Sequence, residues 1–129
     1  MLNLAARLTA GAYLLVVVVL MFGVAGGFAA ECPGTYVVTS WYGAESGNRT
    51  ANGERFDGSS FTAASRMLPF GTRLRVTYRG QSVLVIINDR GPYIKGRSLD
   101  LSRAAARRIG LIAAGVGRVC IEPVARAPP

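Results

Sequence analysis

Arg73-Leu74-Arg75-Val76-Thr77-Tyr78-Arg79-Gly80-Gln81-Ser82-Val83-Leu84-Val85-Ile86-Ile87 is the stretch on which the fold class turns. Up to Tyr78, polar and apolar residues alternate strictly, the period of a strand with one face on a core, and Arg79-Gly80 is a two-residue unit able to reverse the chain. From Val83 to Ile87 every position is apolar, which predicts a returning strand buried on both faces. A hairpin over 73–87 is therefore expected, and with it a mainly β protein. The return strand runs into Asn88-Asp89-Arg90-Gly91-Pro92. Asp89 thus leaves the sheet beside a Gly-Pro turn, in the kind of rigidly held loop where functional side chains concentrate. An aspartate there can equally bond its own backbone or pair with Arg90.

Working outward, Tyr36-Val37-Val38-Thr39-Ser40-Trp41-Tyr42 is rich in β-branched and aromatic residues and stops at Gly43, and Gly117-Arg118-Val119-Cys120-Ile121-Glu122 makes a closing strand. Ala44 to Ser60 has no period and reads as loop. One helix is expected, capped by Ser102, running from Arg103 to Ile109 and stopped by Gly110. Cys32 precedes the first strand and Cys120 lies in the last, ends that neighbour one another in a closed barrel. An even cysteine count in an exported protein favours a Cys32–Cys120 disulfide. The alternative is two unpaired thiols, with Cys120 a buried strand residue.

Export is read from the N-terminus. Of the first 30 residues 23 are apolar, and Arg7 is the only charged side chain before Glu31. Residues 1–29 are a signal peptide or a membrane anchor, the first ending in the small-x-small site Gly27-Phe28-Ala29, the second resting on an uncharged run long enough to span a bilayer. Glu31 is not the small residue a lipobox needs before Cys32. Residues 30–124 form one domain and 125–129 a disordered tail. The exported part carries fourteen basic residues against seven acids and should prefer polyanions. Export excludes nucleic acid as a partner, and membrane contact is expected only through an uncleaved N-terminal segment. The chain contains no histidine, which rules out Ser-His-Asp and Cys-His catalysis, histidine-bound zinc and an imidazole base. Acid–base chemistry must come from carboxylates. With Glu31, Glu45 and Glu122 set aside as surface charges, Glu54, Asp57, Asp89 and Asp100 remain, and Asp100, just ahead of Ser102, is read as serving backbone amides at the helix start.

Six ordered motifs then converge. Ser40-Trp41-Tyr42-Gly43, Thr50-Ala51-Asn52-Gly53-Glu54-Arg55-Phe56, Thr62-Ala63-Ala64, Leu68-Pro69-Phe70-Gly71-Thr72, Asn88-Asp89-Arg90-Gly91-Pro92 and Gly96-Arg97-Ser98-Leu99-Asp100-Leu101-Ser102 resemble the core of the rare lipoprotein A (RlpA) family, from about Thr39 to Val124. The resemblance implies a six-stranded double-psi β-barrel, related to expansins and barwin, with one short helix after the N-terminal hydrophobic helix. It also implies an endolytic lytic transglycosylase that cleaves the MurNAc-β-1,4-GlcNAc bond of denuded peptidoglycan strands, leaves 1,6-anhydro-MurNAc ends, and needs neither cofactor nor metal. Carried over by motif, the functional glutamate falls on Glu54 and the aspartate on Asp89, while the family histidine falls on Ser65, which can hold a hydrogen bond but no proton near neutrality.

Asn52 and Asn88 in those motifs, the aromatic residues Trp41, Tyr42 and Tyr93, and Arg90 and Arg97 are candidate glycan contacts, the arginines for lactyl or peptide carboxylates. For Trp41, core packing is the competing role. Two functions follow: an exported, monomeric transglycosylase of the periplasm or cell envelope, anchored at the inner membrane if residues 1–29 are retained, or a non-catalytic expansin-like wall-binding module that lost turnover with the histidine.

Overall fold

The computed structural model describes residues 31–43 and 47–125. The expected signal or anchor over 1–29 and, Ala125 apart, the expected tail lie outside the described residues. Six strands and one helix follow in the order β1 (Thr35–Tyr42), β2 (Thr62–Ser65), β3 (Arg73–Tyr78), β4 (Gln81–Asp89), β5 (Leu99–Ser102), α1 (Arg103–Arg108) and β6 (Val116–Pro123). They close into a barrel in the order β1-β5-β2-β4-β3-β6, with β6 returning to β1. Two neighbour pairs, β1 with β5 and β2 with β4, are parallel. No helix among the described residues is long and apolar enough to cross a membrane.

The β3–β4 hairpin forms as expected, from Arg73 opposite Ile86 to Tyr78 opposite Gln81. Arg79 and Gly80 both have positive φ, 47° and 80°, the backbone of a turn whose twist matches its flanking strands. Leu74, Val76, Val83, Val85 and Ile87 point into the barrel, where Leu99, Leu101 and Val119 meet them. β4 departs from expectation in one respect: Leu84 and Ile86 remain 41% and 47% exposed, so only one of its apolar faces is buried. Among the described residues, no layer covers the outer face of this closed barrel there.

Ser102 caps α1, its Oγ accepting from the Ala105 amide at 3.3 Å and donating to the Ser60 carbonyl at 2.6 Å. Ala105 and Ala106 are fully buried, their small side chains letting the helix lie close to the barrel. The cysteines are joined as a Cys32–Cys120 disulfide with a Cα separation of 5.6 Å.

Candidate active site

An irregularity in the β2–β4 pairing builds the site. Ala63 pairs with Ile87 but Ala64 pairs with Asp89, which leaves Asn88 as the extra residue of a β-bulge. A bulge turns the next side chain to the other face. Ile87 and Asn88 are accordingly both buried, and Asp89 is delivered into a lateral row running through Ala64 of β2 to Asp100 of β5 and Ser40 of β1. Residues so paired lie on one face, with neighbouring strands about 4.8 Å apart, so the two aspartates stand roughly 10 Å apart at their Cα atoms across a methyl side chain.

Asp89 is an acceptor throughout. Its Oδ1 takes the Ala51 and Arg90 amides, each at 2.8 Å, and its Oδ2 takes the Tyr42 hydroxyl at 3.4 Å. Tyr42 is buried and stacks on Phe56 with ring centroids 4.9 Å apart. Burial first, then the charges of Asp89 and Asp100, holds its phenol well above the usual range, so it keeps its proton and can only donate to an acid. The 50–54 loop is fixed to the end of β4 by the Asn52 amide on the Asn88 carbonyl, 3.2 Å, and by Asn88 Nδ2 on Glu54 Oε2, 3.3 Å. Asn52 Oδ1 receives the Thr50 hydroxyl and the Glu54 amide. Asn88 Oδ1 is buried with no partner among the described residues.

Tyr42, Asn52, Glu54, Asn88 and Asp89 thus form one hydrogen-bonded group. Ser65 is 3% exposed and its Oγ accepts from the Met67 and Leu68 amides at 3.2 and 3.1 Å, so the hydroxyl shapes the following turn. Arg90 Nη1 donates to the Ser65 and Leu68 carbonyls, both at 2.9 Å, and its guanidinium lies 3.8 Å over the Phe70 ring. It braces the 65–70 loop. Trp41 is half-buried and packs against the core, whereas Tyr93 is 78% exposed. Arg97 is half-buried and draws the Asp100 carboxyl toward ionisation.

Asp100 is the residue whose setting differs most from its reading as a helix-start aspartate. It lies in β5, and its Oδ1 accepts from Ser40 Oγ on β1, at 2.7 Å. Only strand register could reveal this, because Ser40 and Asp100 are 60 residues apart. Burial pushes its carboxyl above the ordinary carboxylate range and the Asp89 charge pushes the same way, against the Ser40 hydroxyl and Arg97. The folded state therefore binds a proton at Asp100 more tightly than the unfolded chain does. The stability this gives is present at low pH and is lost as pH rises from the unfolded pKa of about 3.9 through the folded one. Asp100→Asn keeps an acceptor for Ser40 and removes the buried charge. It should raise the melting temperature at pH 7 and change it little at pH 3; a variant less stable than wild type at pH 7 would show that the charge is satisfied.

Against known proteins, a family model described as lytic transglycolase matches residues 35–121. The chain belongs to that family. Among curated relatives, the probable endolytic peptidoglycan transglycosylase RlpA of Synechocystis sp. is 57% identical over 90 residues, covering 67% of this chain and 28% of that protein. The endolytic peptidoglycan transglycosylase RlpA of Pasteurella multocida is 53% identical over 78 residues, 59% of this chain and 26% of its own. The chain thus spans little more than a quarter of either relative. Among solved structures, the apo expansin of Clavibacter michiganensis superposes with a TM-score of 0.58 at 25% identity, over 74% of this chain and 52% of the expansin. The Streptomyces papain inhibitor gives 0.58 at 22% identity, over 74% and 100%, a likeness of fold.

Proposed function

We propose that this protein is an exported endolytic peptidoglycan transglycosylase, cutting between MurNAc and GlcNAc with formation of 1,6-anhydro-MurNAc ends. The observation that carries the reading is the row Asp89–Ala64–Asp100: two carboxyls on one face in different environments, one clamped by backbone amides and a phenol, the other pushed above the ordinary carboxylate range by burial. Groups whose surroundings differ in this way divide into acid and base. The relatives' names and the family match support the same chemistry.

In this mechanism Asp100 acts in its protonated form, which burial favours, and gives that proton to the glycosidic oxygen as the bond to the MurNAc C1 breaks. The sugar's C6 hydroxyl attacks C1 from within the same residue, and its proton passes to Asp89. No water is consumed, and the tethered nucleophile needs no covalent enzyme intermediate. Transfer of one proton from Asp89 to Asp100 restores the protonation with which the step began. Glu54, held by Asn88, flanks the cleavage point and supports the developing positive charge. The carboxyls share the proton work that an imidazole would do at position 65. The disulfide supports export, since such bonds persist outside the cytoplasm.

A wall-binding module without turnover is the second reading, favoured by the Ser65 hydroxyl being occupied by two amides. Mass spectrometry of products from purified sacculi and from amidase-stripped glycan separates the two. Anhydro-MurNAc termini are the expected result; intact strands, or reducing MurNAc ends, would overturn the catalytic reading.

A further inference from the structure

Beyond the Asp89 group lies a cleft of about 1340 Å³, walled on one side by the 55–61 loop and on the other by α1. Arg55 lines it from the loop, and Arg103, Arg107 and Arg108 from the helix, with Phe56 and Phe61 between them. Asp57, the acid among the described lining residues, is turned onto Ser59 and Ser60: Oδ1 accepts from the Ser59 amide and hydroxyl and Oδ2 from the Ser60 hydroxyl. Among the described residues the salt bridge is Arg75–Glu122, so none of the four cleft guanidinium groups makes an ion-pair contact there, although, after the Ser59 hydrogen bonds, the Arg55 charge helps hold the Asp57 carboxyl below its usual range.

Arg107 and Arg108 lie in the last turn of α1, where the helix dipole favours cations, but Arg103 has no such gain. Arg103 sits in the first turn, where the helix dipole disfavours a cation, Arg107 repeats the charge one turn later, and no acid occupies the first turn to relieve either. A local choice that opposes stability marks a place where something else is served. The walls are held together: the Ala104 amide donates to the Gly58 carbonyl at 3.0 Å and Ser102 Oγ to the Ser60 carbonyl. The cleft also adjoins the candidate active site through one ring, since Phe56 stacks on Tyr42 and Tyr42 reaches Asp89.

We infer that this arginine-walled cleft binds the carboxylates of a peptidoglycan strand whose scissile bond lies at Asp89. The inference rests on the proposed substrate. Guanidinium forks match carboxylates in two-point contacts, and a strand entering from the Asp89 group passes the Phe56 ring into the cleft. A bilayer surface is flat and suits protruding cations, whereas these line a concavity. In a glycan strand the carboxylates come from peptide stems or, where stems are removed, from the lactyl groups of MurNAc.

Co-sedimentation of the full-length protein with intact sacculi, with amidase-stripped glycan, and with each after carbodiimide coupling to ethanolamine tests this. Binding to an uncoupled material should be salt-sensitive and about tenfold or more tighter than to its coupled form. The Arg103→Gln/Arg107→Gln/Arg108→Gln variant should lose that difference and bind coupled material as wild type does. Whichever uncoupled material shows the larger loss identifies the carboxylate, stem or lactyl. Arg55→Gln, on the opposite wall, should show a smaller loss of the same selectivity and serves if the triple variant does not fold. Equal binding to coupled and uncoupled glycan overturns the inference, as does wild-type binding by both variants, or a loss confined to phosphatidylglycerol vesicles. Anhydro ends are scored in the same wild-type samples; their absence defeats the catalytic reading while the coupled-against-uncoupled comparison still judges the cleft.

Discussion

Asp89→Asn should abolish anhydro-MurNAc formation, lowering its rate by about 10³-fold, within the range for loss of a positioned acid or base, while glycan binding changes little. The asparagine carbonyl can still receive the Ala51 and Arg90 amides, so the 50–54 loop stays docked on β4. Its amide faces Tyr42, whose hydroxyl can turn to accept. What is removed is the negative charge and the capacity to take a proton, both of which matter more in the transition state than in the bound ground state. Rates on stripped glycan, with melting temperature and co-sedimentation as controls, check this. If the variant releases anhydro ends as fast as wild type, the base lies elsewhere and the division of labour between Asp89 and Asp100 is wrong.

The contrast between Asp89 and Asp100 shows which features a sequence carries in legible form. Long periodic segments read correctly: β1, the β3–β4 hairpin with its Arg79-Gly80 turn, α1 behind its Ser102 cap, and β6 all lie within a residue or two of the pattern. β2 and β5 did not show by pattern, and the six-strand barrel came from family resemblance. Each is four residues long, Thr-Ala-Ala-Ser and Leu-Asp-Leu-Ser, too short for alternation to declare itself. The Asn52, Glu54 and Asp89 motifs do come together, because short turns joined to strands put them there. The parts invisible in sequence are non-local. The bulge at Asn88 that aims Asp89, the Ser40–Asp100 bond, and the grip of Arg90 on the 65–70 loop all depend on register between distant strands. The reading of β4 as buried on both faces fails for a related reason: composition says that Leu84 and Ile86 are apolar, and only the closed topology says that no described residue layer covers them.

Reduction of the Cys32–Cys120 bond should destabilise the domain by about 4–5 kcal/mol on the chain-entropy model, a fall of roughly 20 °C in melting temperature for a domain of this size. The magnitude follows from the sequence separation of 88 residues that the bond closes. The native chain is shaped to accept it: a Cβ at Gly34 would lie 2.0 Å from the Ile121 carbonyl oxygen, so only glycine lets the segment after Cys32 pass this close to β6. Cys32→Ser, at the half-buried end of the bond, removes the crosslink while leaving Cys120 in the core; it should melt as the reduced protein does and ignore reductant. Wild type melting within a few degrees in the two redox states would refute this. Turnover should respond differently from stability. Cys120 pairs with Tyr36 near the start of β1, whereas Ser40, in the aspartate row, and Tyr42, at the end of that strand, lie roughly 13 and 20 Å away at the rise of an extended chain. Below the melting temperature of the reduced form, reduced and oxidised protein should therefore release anhydro ends at the same rate, and a rate that falls with reduction in the folded range would mean that the β1–β6 seam positions the carboxyls as well as closing the barrel.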